Sequence, residues 1–435
     1  LQVNGLTPGT EYAYQYLVDG NLRIADFYAE KVLDPNNDPS IPSSTYPNLK
    51  AYPTGKTTEI VSVLQTRSAQ YNWRNNSFAR PDKRNLIIYE LLPRDFVAAH
   101  DYKTIKDTLS YLKRLGINAI ELMPVNEFEG NLSWGYNPSF YFAPDKYYGS
   151  KNDLKELIDS CHSNGIAVII DMVWNHSYGQ SPMVRMYFDN ANNRPATDNP
   201  WFNPVAPHAA INFGYDFNHE ADATKYFMDR VADFWLKEYK IDGFRLDFTK
   251  GFTQKVTTTD AQLSAYDASR VAILKRINDS IQTTSPGAYL ILEHLAENTE
   301  EKDLAAAGMM LWGNMNYNFN EATMGYVQNS NFEGATHTAR GFTQPYLVSY
   351  MESHDEERLM YKNERYGNQS GAYNVKDTIT ALKRNELATA FYMAIPGPRM
   401  IWEFGEVGYD YSRCYLSTNG EGGDCNKKLD PKPIR

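Results

Sequence analysis

Eight short apolar runs, each separated from the next by helix-like sequence, govern what this chain can fold into. They are "LIIYELL" from residue 86, "INAIELMP" from 117, "IAVIIDMVW" from 166, "IDGFRLDF" from 241, "AYLILE" from 288, "MMLW" from 309, "YLVSYME" from 346 and "PRMIWEF" from 398. Between them lie stretches with apolar residues every three or four positions, such as "TIKDTLSYLKRLG", "KNDLKELIDSCHSNG" and "ATKYFMDRVADFWLKEY". Mainly apolar strands are buried on both faces, and strands that alternate with helices pair in parallel. Eight such units predict an α/β fold, a parallel (β/α)8 TIM barrel, over residues 79–435. The connection after the third run is unusually long and rich in Asn, Pro and aromatics. Residues 174–218 are therefore expected to form an inserted subdomain.

Residues 1–78 have a different texture: short strand-like stretches broken by "LTPGT", "VDGN" and "DPNND", which predict a small β-sandwich. The opening "LQVNGLTPGTEYAYQYLVDG" has the pattern of the middle of a β-domain, so this sandwich is expected to be partial. The terminal "DPKPIR" follows soon after the eighth run, so the last barrel helix and a C-terminal β-domain are expected to be missing.

With 435 residues, 42% of them hydrophobic, the chain is long enough for two or three domains. Its net charge of −10, without a basic cluster, argues against a nucleic-acid partner or an anionic membrane surface. No apolar run nears the roughly 20 residues of a membrane span. The many aromatics offer flat faces that suit sugars, though they serve equally as core. Cys161 falls on a helical pattern and is expected in the core. Cys414 and Cys425 bracket the loop "CYLSTNGEGGDC", either as a disulfide or as two free thiols. A bridge implies an oxidising compartment, and the expected location is secreted, periplasmic or cell-surface.

Within "GFRLDF" side chains alternate across the strand, so Arg245 and Asp247 share one face while Phe244 and Leu246 share the other. An ion pair inside a barrel contributes little stability by itself, because desolvation offsets most of the Coulomb attraction. In this fold chemistry sits at the C-terminal ends of the strands. Strand three ends with Asp171, Asn175 and His176, and strand four with Arg245 and Asp247. Strand five ends with Glu293 and His294, and strand seven with Glu352, His354 and Asp355. So many carboxylates converging with histidines and an arginine point to a site rather than to packing.

Glycoside hydrolysis needs this equipment: one carboxylate at the anomeric carbon and a second carboxyl group that protonates the departing oxygen. Arg245 would keep Asp247 ionised and oriented. Glu293, after the apolar "AYLIL", would keep its proton through partial desolvation. Histidines such as His176, His294 and His354 would hydrogen-bond sugar hydroxyls, with a third carboxylate near the developing positive charge.

The segments "DMVWNH", "GFRLDF", "LILEH" and "MESHDE" resemble, in order, the signature motifs of the alpha-amylase family of glycoside hydrolases. "GYDFN" resembles a fifth motif in that family's third loop, while "INAIELMPVNEF" and "PGPRMIWEFGE" resemble its second- and eighth-strand motifs. The resemblance spans residues 86 to about 410. It implies a retaining mechanism with Asp247 as nucleophile, Glu293 as general acid/base and Asp355 as transition-state stabiliser. It also implies that Arg245, His176 and His354 line the subsite of the attacked sugar. Tyr136, in "SWGYNP", matches the family's stacking tyrosine, and Trp134 is a candidate platform further along; for both the alternative is a core aromatic.

The resemblance further implies calcium as a candidate cofactor, held by Asn175, Asp216 and the backbone carbonyl of Gly251. The alternative is that these residues simply brace the loop by hydrogen bonds. No Cys/His cluster suggests zinc, and no organic cofactor is implied. The expected substrate is an α-glucan and the expected reaction is hydrolysis of internal α-1,4-glucosidic bonds, with Lys250 contacting a neighbouring glucose. Transglycosylation of the branching-enzyme kind is the near alternative, since "INAIELMPVNEFEGNLSWGYNP" resembles branching and trehalose-releasing relatives. A non-catalytic glucan-binding barrel is the third reading, opposed by the presence of all three carboxylates.

Overall fold

The computed structural model describes residues 3–413. Eight parallel strands close into a barrel: β1 (Ile87–Leu91), β2 (Ala119–Leu122), β3 (Ala167–Met172), β4 (Gly243–Leu246), β5 (Tyr289–Leu292), β6 (Met310–Asn314), β7 (Leu347–Tyr350) and β8 (Arg399–Trp402). Each strand pairs with its successor in sequence, and β8 returns to β1. All eight apolar runs thus become barrel strands.

Two-faced burial explains their composition. Ile88, Ala119, Ile169, Ile291, Met310, Val348 and Met400 fill the barrel interior. Their neighbours, such as Ile120, Ile170, Phe244, Leu290 and Leu311, pack outward against the helices. Those helices include α1 (Leu109–Leu115), α2 (Lys151–Ser163), α3 (Asp222–Glu238), α4 (Ala268–Thr284), α5 (Asn298–Ala306), α6 (Asn316–Met324) and α7 (Thr378–Met393). A reciprocal Ser150–Asp153 capping box starts α2, and Leu154, Leu157, Ile158 and Cys161 form its buried stripe. Cys161 is a free, buried thiol, as its helical position suggests.

The long connection after β3 contains two short antiparallel ladders and little other regular structure. One ladder joins His176–Ser177 to Tyr215–Asp216 and so returns the end of the loop to its beginning. Its register sets His176 opposite Asp216.

Over residues 1–78, where a β-sandwich was expected, the described strands make one three-stranded antiparallel sheet and a hairpin. The sheet joins Glu11–Tyr14, Val61–Gln65 and Val32–Leu33; the hairpin pairs Tyr16–Val18 with Leu22–Ile24. Their apolar residues Ala25, Ala29, Val32 and Ile60 pack on Phe140 and Ala143, beside the barrel, instead of on a facing second sheet. Phe27 extends the contact, with its ring 5.4 Å from Trp201 and 6.0 Å from Phe227 of α3. No described helix is long and apolar enough to cross a membrane. The Cys414–Cys425 loop and the residues after it lie outside the described range.

Candidate active site

The barrel interior changes character toward the C-terminal ends of its first five strands. Two positions beyond Ile88 stands Glu90; beyond Ala119, Glu121; beyond Ile169, Asp171. Beyond Gly243 stand Arg245 and then Asp247, and beyond Ile291 stands Glu293. Alternate residues share a face, so an apolar layer is capped by an ionisable one.

Arg245 is the centre of that layer and is fully buried. Its Nη1 donates to Asp171 Oδ1 and Oδ2 at 2.9 and 3.1 Å and to Asp247 Oδ1 at 3.0 Å. Its Nη2 donates to Glu293 Oε2 at 2.8 Å. The guanidinium also lies over the Trp312 ring, 4.1 Å from its centre. Asp171, wholly buried, accepts a further hydrogen bond from the Tyr136 hydroxyl at 2.5 Å. Arg245 therefore ties β3, β4 and β5 together and fixes three carboxylates on one planar fork.

Asp247 follows β4 directly, and the next residue, Phe248, adopts a left-handed conformation (φ 45°, ψ 48°). For a non-glycine residue that costs on the order of 1–2 kcal/mol. Phe248 N–H donates to Glu293 Oε2 at 2.9 Å. Side-chain exposure is 13% for Asp247, 14% for Glu293 and 36% for Asp355, so these three reach the cleft while Asp171 and Arg245 do not. Burial pushes the Glu293 carboxyl up to about 7; Arg245 opposes this, and the charges of Asp247 and Asp355 add to it. The arrangement offers one carboxyl group that holds a proton near neutrality beside a carboxylate paired to a cation.

His354 stacks on Tyr136, with ring centres 5.1 Å apart and planes 21° apart, and its Nε2 lies 3.5 Å from Asp355 Oδ2. His176 is buried, with Nε2 2.9 Å from the Tyr136 carbonyl and Nδ1 3.2 Å from Asn175 Oδ1. His354, Tyr136 and His176 thus form one contiguous set beside Asp355. Lys250 lies at the rim after β4, its Nζ donating to Asp260 Oδ1 at 2.9 Å.

Three residues lie elsewhere than expected. His294 does not face the cleft: its side chain is fully buried, Nδ1 lies 3.0 Å from Thr249 Oγ1 and Nε2 3.0 Å from Glu300 Oε1. Alternation past the end of β5 sends it to the face opposite Glu293. Trp134 is no exposed platform, being 2% exposed and packed with Leu92, Met123 and Trp402; its edge meets His354 at 5.5 Å. Glu352 also leaves the cluster, accepting from the Leu359 amide at 2.5 Å. Sequence reasoning missed Glu90 and Glu121, although each is a lone acid inside an apolar run, the same signal that singled out Arg245.

The proposed calcium ligands do come together, but as a brace. Asp216 Oδ2 accepts from Asn203 Nδ2 at 2.6 Å and Oδ1 accepts from His208 Nε2 at 2.8 Å. The other His208 nitrogen, Nδ1, is 2.6 Å from the Ile211 carbonyl, so both ring nitrogens face acceptors. Burial works against a charge on this ring, yet Asp216 holds its pKa above the ordinary imidazole value. Gly251 approaches so closely that a Cβ there would stand 2.5 Å from Asn175 Nδ2. Calcium takes six to eight oxygens. Here both Asp216 oxygens are engaged, one of them by an imidazole nitrogen, so the residues do not fit that ion.

A closed parallel barrel bearing a proton-holding carboxyl group and an arginine-held carboxylate at its C-terminal mouth has the equipment of an enzyme of acid–base chemistry. Comparison with known proteins specifies it further. The family profile for the alpha-amylase catalytic domain matches residues 74–214 and 208–432, and the chain belongs to the alpha-amylase family.

A malto-oligosyltrehalose trehalohydrolase of Saccharolobus solfataricus is 29% identical over 230 residues, 52% of this chain and 37% of that protein. The 1,4-alpha-glucan branching enzyme of Saccharophagus degradans is 31% identical over 204 residues, 43% of this chain and 26% of that protein. The chain thus spans well under half the length of these curated relatives. Among solved structures, a pullulanase type I of Bacillus subtilis in complex with maltose superposes with a TM-score of 0.67 at 21% identity, covering 94% of this chain and 59% of its own. A structure described as a putative alpha amylase of Salmonella typhimurium gives 0.62 at 19%, covering 92% and 65%.

The placement of His294 is testable. His294→Leu leaves Thr249 Oγ1 and Glu300 short of a partner and should cost about 1–3 kcal/mol of stability. KM on any glycoside the enzyme turns over should not change. A raised KM without loss in thermal unfolding temperature would put the ring back in the cleft.

Proposed function

We propose that this chain is the catalytic part of a retaining glycoside hydrolase that cleaves internal α-1,4-glucosidic bonds in starch-like α-glucans. The observation that carries the reading is the Arg245 fork, which holds Asp247 and Glu293 side by side with Glu293 near pKa 7. Asp247 attacks the anomeric carbon while Glu293 gives its proton to the departing glycosidic oxygen, leaving a covalent glycosyl-enzyme. Glu293, now a carboxylate, takes a proton from water as that water attacks the same carbon and frees Asp247. Asp355, the most exposed of the three, would stabilise the positive charge that grows on the sugar.

A second reading shares every step but the last: a glucan hydroxyl, instead of water, meets the glycosyl-enzyme. The similarity to a branching enzyme supports it. Incubation with soluble starch separates the two. Hydrolysis raises reducing ends steadily, whereas branching shifts the iodine colour with little rise; a non-catalytic binder would change neither.

Asp247→Asn should lower turnover by roughly 10⁴-fold or more while leaving the unfolding transition in place. Near-normal activity in that variant would remove Asp247 from the nucleophile's role.

The acid must hold its proton, so kcat/KM should fall as pH rises through about 7. Glu293→Gln should abolish that limb and cleavage of natural glucan, with a smaller first-step loss on an activated aryl glycoside. Equal losses on both substrates would argue against Glu293 as the acid.

We also propose that the Asp216–His208 brace takes the place of a metal in anchoring the third loop. Dialysis against excess EDTA should leave both activity and unfolding temperature unchanged. A loss restored by added calcium would overturn this.

A further inference from the structure

The catalytic cleft has a buried floor that the mechanism above does not use. Glu90 of β1 and Glu121 of β2 are cross-strand partners in the barrel register, and neither has any exposed surface. Glu90 Oε1 accepts from His354 Nδ1 at 2.5 Å. Glu90 Oε2 and both oxygens of Glu121 have no hydrogen-bond partner among the described residues. Above them, His354 is boxed by aromatic rings: Tyr136 stacks on it at 5.1 Å, and Trp134, Trp312 and Trp402 meet it at 5.5–6.2 Å. Its second nitrogen, Nε2, lies 3.5 Å from Asp355 Oδ2. Both nitrogens therefore face acidic oxygens, an arrangement that suits a doubly protonated ring.

We propose that Glu90 is a positioning residue of this active site: it holds His354 as an imidazolium whose Nε2–H is aimed at Asp355 and the reacting sugar, while Glu121 behind it carries a proton and leaves Glu90 as the counter-charge on the Nδ1 side. The charge reasoning agrees with the geometry. Burial opposes charge on His354, but Asp355 and Glu90 outweigh it and push the ring up to about 9. Burial first, and then Glu90 and Asp171, hold Glu121 well above the carboxylate range. Among the described residues the titratable groups about the ring are Glu90 from β1, Asp171 from β3, Arg245 from β4, and Asp355 and Glu356 from its own segment; Glu121 lies behind Glu90. Only Arg245 disfavours the imidazolium, so removing the Glu90 charge leaves a buried ring facing a guanidinium with one fewer anion. Glu90 acts through His354: with no exposed surface of its own, it cannot reach a sugar in the cleft.

The role in catalysis rests on the glycosidase reading; the protonation state does not, and the experiment keeps the two apart. ¹⁵N-histidine labelling of the whole chain, with His354→Asn to assign one of the eight histidines, follows the ring's titration directly. In the wild type, His354 should stay doubly protonated past neutrality and titrate near 9. In Glu90→Gln it should fall to the ordinary range, around 6.5 or below. Glu90→Asp, which keeps the charge, should retain the imidazolium.

In kinetics, Glu90→Gln should lower kcat/KM at pH 7 by roughly 10- to 100-fold, the scale seen when the carboxylate behind a working histidine is removed. That deficit should shrink toward pH 5, where the ring is protonated without help, whereas a merely structural lesion gives a ratio independent of pH. A wild-type His354 that is neutral at pH 8 overturns the proposal even if no variant folds. So does a Glu90→Gln ring that still titrates near 9. A wild type inactive on α-glucans, with His354 titrating as described, would instead sink the substrate assignment and spare the charge relay.

Discussion

A guanidinium without access to water is tolerable only where acidic oxygens replace its hydration shell, and Arg245 meets that condition with three carboxylates from three strands. Desolvation offsets most of the attraction in such a cluster, so its value to stability is small. Its value to geometry is larger. Because the fork is planar and rigid, Asp247 and Glu293 cannot move independently, and the strands that carry them are neighbours in the barrel. The left-handed turn at Phe248 adds a second constraint, since the same backbone that strains there sends its N–H to Glu293. Strain of that kind persists only where surrounding structure over-determines it, and here it sits one residue past the candidate nucleophile.

The barrel was legible because its strands are nearly uniform in apolar character and its helices keep a 3.6-residue period; both signals survive without any knowledge of tertiary contacts. The ionisable layer was legible in part for the same reason: Arg245 in "GFRLDF" contradicts the run that contains it. Glu90 in "LIIYELL" and Glu121 in "INAIELMP" contradict theirs equally. What failed was direction. Past the last paired residue of β5 the alternation that aims Glu293 into the cleft aims His294 away from it, and sequence does not mark where a strand ends. Trp134 failed for a different reason: an aromatic beside a glycine looks the same whether its ring faces solvent or three other apolar side chains.

The third loop shows how one long-range partner changes a local reading. Asn175, Asp216 and Gly251 do converge, as their resemblance to calcium-binding relatives implies. Asp216, however, already has a buried imidazole on one oxygen and the Asn203 amide on the other. His208 lies in the middle of the loop, eight residues from its partner, in sequence with no regular pattern. Its role became visible only when the His176–Asp216 ladder closed the loop and buried the ring. An ion and an imidazolium answer the same electrostatic need, which is why the ligand residues alone do not distinguish them.

The same accounting explains where the acid comes from. Around the floor and mouth of the barrel stand the carboxyl groups of Glu90, Glu121, Asp171, Asp247, Glu293 and Asp355, against two cations, Arg245 and His354. A low-dielectric interior does not support that excess of negative charge, so some of these groups must keep protons at neutrality. Which ones do is decided by distance from the cations and from water. Glu121, wholly buried and with no hydrogen-bond partner among the described residues, is held well above the carboxylate range; Asp247 sits on the Arg245 fork and opens to the cleft. Glu293 lies between these limits: burial raises it first, Arg245 opposes, and the charges of Asp247 and Asp355 add to the rise, which reaches about 7. The candidate acid is in this sense a product of burial and crowding together: the carboxylates that would attack and stabilise the sugar add to what burial does to keep the proton on Glu293.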